Sequence, residues 1–110
     1  AGAKAPKMRS ARSAEPELAT EHDHLLAEAK LMATVQAALR DARWTDALEG
    51  AGLHAKRFAD GMLVEERLAS EALALCALGR SAEGRARFEA LMALNPDTVH
   101  ASRVREACAL

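Results

Sequence analysis

Aromatic side chains are nearly missing. Of 110 residues, one is Trp, two are Phe and none is Tyr. Strands favour aromatic and β-branched residues, so this scarcity disfavours a sheet protein. Charge of one sign is missing too: the formal net charge is −1. A dedicated nucleic-acid binder carries a strong basic excess, so no nucleic-acid partner is expected. No apolar run approaches the roughly 18 residues of a membrane-spanning helix, and Ala1–Lys4 lacks the apolar core of a signal peptide. The chain starts without Met and is read as a fragment or processed product, so membrane attachment enters only through a segment preceding it. Two cysteines are too few to call a disulfide framework. No glycine-rich phosphate loop is present.

Half of the residues are apolar, and many of these are Ala, the best helix former. The composition therefore predicts an all-α protein with close helix contacts, in one domain at most. Residues 1–20, "AGAKAPKMRSARSAEPELAT", hold two prolines, few large apolar groups and scattered charge. They bury too little to offset ordering and are read as a flexible linker. Helical periodicity begins at Glu21, so the helical domain is placed at 21–110. Five helices are expected, at about 21–41, 45–58, 62–78, 82–94 and 98–109. Asp41 or Thr45 is the expected cap of the second, Ser81 of the fourth, and Asp97 or Thr98 of the fifth. Gly79 is the expected left-handed residue ending the third.

The segment repeats. Ala42–Ala47 aligns on Gly79–Gly84 at an offset of 37 residues, each block lying between a longer and a shorter helix. A period of this size with a helix–turn–helix unit marks a helical solenoid. The residues resemble the tetratricopeptide repeat (TPR). Ala72 and Gly84 match its small contact residues, Gly79 its turn glycine, Phe88 its aromatic and Pro96 its terminal proline. In the looser first unit, Val35, Ala42, Trp44 and Ala47 take the corresponding places and no Pro closes the hairpin. The resemblance implies two antiparallel TPR-like hairpins plus a C-terminal capping helix, a short α-solenoid. Closer still, "RFADG", "LVEER", "ALCALGR" and "NPD" followed by "ASRVREAC" resemble a TPR-like C-terminal domain of myxobacterial single-pass membrane proteins.

That resemblance implies a non-enzymatic protein–protein interaction module without cofactor or metal. It would lie outside the cytoplasm, tethered to the membrane in the full-length protein, with a cytoplasmic location as the alternative. The partner is a protein or peptide segment, and the chain is a monomer or weak homodimer. The alternative function is a structural oligomerisation domain. In such arrays the first helix of each hairpin lines the concave face, which gives Met32, Gln36, Glu66, Ala69 and Leu73 as groove residues. These include no Lys or Asn, so the family's carboxylate clamp is not expected; an apolar groove with an acidic rim suits an amphipathic or basic segment. Cys76 and Cys108 fall toward the C-terminal ends of neighbouring first helices. Both a disulfide, favoured by the extracytoplasmic resemblance, and two buried thiols remain open.

Other candidate chemistry reduces to structure. His22 and His24 in "EHDH" are two apart and cannot share a helical face, while zinc needs three or four convergent ligands. Asp97, His100 and Ser102 lie within one turn and suit capping rather than nucleophilic catalysis. Glu65–Arg67 reads as a solvated charge run, and Trp44 and Phe58 as core.

Overall fold

The apolar stripes fold into five α-helices: α1 (Lys4–Arg40), α2 (Trp44–Arg57), α3 (Val64–Ala77), α4 (Ser81–Leu94) and α5 (Ala101–Cys108). The structure, a computed structural model, describes the backbone of residues 4–110 and the side chains of residues 20–110. No strand occurs among the described residues. The stretch expected as a linker overlaps α1. From Lys4 its backbone is helical, while residues 1–3 lie outside the described residues. Ala, Lys, Arg and Glu make up most of residues 4–19, and all four rank high in helix propensity.

Short turns join the helices into two hairpins, α1–α2 and α3–α4, with α5 stacked after them. The repeat is written into the backbone. Ala42 has φ 56° and Gly79 has φ 80°, both left-handed. Around Ala42, the Ala42 N–H donates to Leu39 C=O at 3.1 Å and the Arg43 N–H to Ala38 C=O at 2.8 Å. Thirty-seven residues later, the Gly79 N–H donates to Cys76 C=O at 3.0 Å and the Arg80 N–H to Leu75 C=O at 2.8 Å. Each turn is followed by an Arg paired to an acid three residues on, Arg43 with Asp46 at 3.1 Å and Arg80 with Glu83 at 2.7 Å.

This tight turn displaces the expected caps. The residue after the left-handed one is already the N-cap, so Arg43 and Arg80 occupy those positions and make no side-chain capping bond. Ser81 therefore lies inside α4, Thr45 inside α2, and Asp41 in the turn itself, just before Ala42. Nor do Asp97 and Thr98 open α5. The Asp97 N–H donates to Asn95 Oδ1 at 3.0 Å and the His100 N–H to Thr98 Oγ1 at 3.3 Å. Those local turns compete with helix and delay α5 to Ala101.

The core is one cluster built from Met32, Val35, Ala38 and Leu39 of α1, Ala47 of α2, Ala69, Ala72, Leu73 and Ala74 of α3, Phe88 and Leu91 of α4, and Val104 of α5. α3 packs against all four other helices. α5 buries Val104 and leaves Ser102, Arg103, Arg105 and Glu106 exposed, a polar outer face that closes the stack.

Candidate functional site

Two regions of the fold hold chemistry. The first is a cleft of about 330 Å³ beside the stacked first helices. α1 supplies Leu39, α3 supplies Leu73 and Ala77, and the start of α2 supplies Trp44. α5 forms the other wall with Arg103, Glu106 and Ala107. The floor is apolar, and one cation and one anion flank it. Trp44 is half-buried at the mouth because the αL turn at Ala42 delivers it there as the first residue of α2.

The second region is a buried polar tier joining α1, α2 and α3. Glu28 is 2% exposed and His54 fully buried. The Met62 N–H donates to Glu28 Oε1 at 3.1 Å and the Leu63 N–H to Oε2 at 3.0 Å. Leu63 is the N-cap of α3 and its own side chain caps nothing. A carboxylate from α1 thus satisfies N–H groups that the helix start leaves open. His54 Nε2 lies 2.8 Å from the same Oε2. Arg67 Nη1 lies 3.3 Å from His54 Nδ1. Arg is always a donor, so Nδ1 accepts and Nε2 carries the proton given to Glu28. Burial alone raises the Glu28 carboxyl, but the bonds from Leu63, His54 and Met62 outweigh it and hold it below its ordinary value. A Cβ at Gly61 would overlap this carboxylate, so the Asp60–Gly61 turn needs glycine to bring the start of α3 so close.

The tier continues outward. Arg67 Nε is 4.0 Å from Glu71 Oε1, too far for a hydrogen bond, and Arg87 Nε reaches that oxygen at 3.5 Å. Burial pushes the Glu71 carboxyl up, opposed in part by Arg87 and Arg67. In the first turn of α3, Glu65 Oε1 accepts from Asn95 Nδ2 at 3.1 Å. Thr98 and Asn95 hold the Glu65 carboxyl below its ordinary value.

The groove expected from Met32, Gln36, Glu66, Ala69 and Leu73 is corrected. These residues do gather along the contact of α1 with α3, but they pack on one another instead of lining a surface. Leu73 is 7% exposed, and Met32 and Ala69 are buried with it. Gln36 Nε2 donates to Ser70 Oγ at 3.0 Å, and that hydroxyl donates to Glu66 C=O at 2.7 Å. The Glu66 carboxylate lies 3.7 Å from His100 Nε2. The cause is stacking. α1 and α3 lie side by side, so a position turned away from its own hairpin meets the neighbouring first helix. Toward the C-terminal ends the contact opens at the cleft, which Leu73 helps to line, while at the other end the Glu66 side chain stays partly open.

Cys76 and Cys108 are joined by a disulfide with 5.3 Å between Cα atoms, linking α3 to α5. Ala72, Gly84 and Ala47 are buried at helix contacts. Phe88 is buried beneath the Arg105 guanidinium, which lies 5.2 Å from the ring centroid. Pro96 sits exposed in the turn after α4.

Sequence reasoning missed Glu28, His54, Arg67 and Glu71. A signal existed: Glu28 falls in register with Met32, Val35 and Leu39, and His54 with Ala47, Ala51 and Phe58. Charged or polar groups inside an apolar stripe call for buried partners. Among the described residues, no three His, Cys, Asp or Glu converge as metal ligands, and no helix is long and apolar enough to cross a membrane. No family model, curated protein or solved structure matches the chain.

Proposed function

We propose that this chain is a non-enzymatic, TPR-like interaction module that binds a protein or peptide segment in the cleft formed by α1, α3 and α5. The cleft carries the reading: an apolar lining of Leu39, Leu73 and Trp44 flanked by Arg103 and Glu106 fits an amphipathic segment. In the buried tier, Glu28 and His54 tie α1, α2 and the start of α3 together. The Cys76–Cys108 disulfide supports a location outside the cytoplasm, where such bonds persist. Tethering to a membrane through a preceding segment, and kinship with the myxobacterial TPR-like domains, rest on the sequence resemblance. A site of this size suits weak, transient binding.

The test is peptide display on the oxidised chain, with Ala77→Arg as the control. Ala77 lines the cleft yet is exposed, so Arg fills the site without entering the core. Enriched peptides should bind the parent with micromolar affinity and lose at least tenfold on the variant. Peptides that bind both equally, or no enrichment, overturn the reading. Oligomerisation is the second reading, favoured by exposed apolar side chains: Met62 is 78% and Val99 89% exposed. Sedimentation across a concentration series separates it, since a dimer would grow with concentration.

A further inference from the structure

We propose that the Cys76–Cys108 disulfide is a redox latch on the cleft: it holds α5 in place as a wall, and its reduction releases α5 and dismantles the site. This regulation rests on the binding reading above. Three observations carry it. First, α5 supplies Arg103, Glu106 and Ala107, one whole side of the cleft, while Leu73 and Ala77 of α3 supply the facing side. The cleft therefore exists only while α5 is docked.

Second, α5 is weakly held apart from the bond. It spans eight residues and buries one side chain completely, Val104. A helix that short is not stable alone, and one buried valine does not offset the ordering of eight residues. The other holds are small: the half-buried Ala101 and Cys108, the 3.6 Å approach of Cys108 Sγ to Ala72 C=O, and the Arg105–Phe88 contact. Glu65 and His100 anchor the preceding turn, so the release is confined to α5 itself.

Third, α1–α4 do not depend on α5 for their joints. The α1–α2, α2–α3 and α3–α4 contacts and the Glu28 tier are all made without it. Undocking would expose chiefly the α3 face around Leu73 and the flank of Phe88. In the step, the sulfur–sulfur bond takes up two electrons and two protons from a dithiol reductant, which closes to its own disulfide. The protein is left with two thiols on separate helices, and reoxidation reverses the step.

Hydrogen exchange of the full chain, oxidised and after treatment with dithiothreitol, tests the latch without any partner. Protection of amides in 101–108 should fall at least tenfold on reduction, while α2, α3 and α4 stay protected, and reoxidation should restore it. The double variant Cys76→Ser/Cys108→Ser should show the reduced pattern with no reductant present. Unchanged protection in 101–108 overturns the proposal, because α5 then docks without the bond. Loss of protection in every helix also overturns it, because the bond is then a staple for the whole fold. Peptides selected on the oxidised chain should lose at least tenfold in affinity on reduction. If α5 opens and binding is unmoved, the latch on α5 stands and the cleft is not the binding site.

Discussion

The left-handed turns show how one residue identity sets local strain. Gly79 adopts φ 80° at no steric cost, whereas Ala42 adopts φ 56° in the same turn of the preceding hairpin. An L-residue with a Cβ is disfavoured there by about 1 kcal/mol. Ala42→Gly is therefore expected to stabilise by up to about 1 kcal/mol, and Gly79→Ala to destabilise by a similar amount, read by urea denaturation. Equal and negligible effects would mean that the turns relax. Glu28 acts at the same scale with larger consequences. Replacing it by Gln leaves three donors facing one acceptor, at an expected cost of about 2–4 kcal/mol at pH 7. The folded carboxyl lies below its unfolded value of 4.5. Its contribution is thus complete above that pH and is lost as pH falls through the folded value. The gap between parent and Glu28→Gln should accordingly narrow from pH 7 to pH 3.5, measured as paired urea curves. Glu71, shifted the opposite way, is present in both proteins and cancels in the difference.

Each hairpin closes on a close helix contact, and that contact was legible in the sequence. Ala72 and Gly84 were identified through the resemblance to the tetratricopeptide repeat, and a Cβ built at Gly84 would overlap Cys76 Sγ and sit 3.3 Å from Ala72 O. Gly84→Ala should destabilise by about 1–3 kcal/mol through overpacking, with Ala72→Leu at least as costly. A neutral Gly84→Ala in thermal melts would show that α4 shifts freely. Helix number, order and C-terminal ends were also readable, because Gly79, the Asp60–Gly61 turn and Asn95–Pro96 punctuate a strong helical period. The helix starts were misread. The turn at Ala42 uses no glycine, and in "GRS" the capping position falls to Arg80 rather than Ser81. The groove was misread for a different reason. Periodicity says which side of α3 faces away from α4, but not whether α1 fills that side. That depends on the interhelical spacing, which Met32, Ala69 and Leu73 determine together by packing.

On the scale of the molecule, α3 is the hub. It touches every other helix, and among the described residues α1 meets only α2 and α3. Glu28 adds a polar tie in the same direction, capping α3 from α1 while His54 of α2 braces it. Loss of α3 packing therefore leaves only the α1–α2 and α4–α5 contacts, and α1–α4 should unfold as one cooperative unit. The disulfide restricts the unfolded chain as well as holding α5 in the folded one. It closes a sequence separation of 32 residues, which in the chain-entropy model stabilises by about 3–4 kcal/mol. Cys76→Ser/Cys108→Ser should thus lower the free energy of unfolding by at most that amount, since the folded variant releases α5, seen by circular dichroism in urea as an earlier midpoint with a single transition retained. A fall below about 1 kcal/mol with α5 still protected from hydrogen exchange would mean that the unfolded chain is already compact between α3 and α5, so that the bond restricts little. Two separate transitions would show instead that the hairpins unfold independently, and α3 would lose its place as the hub.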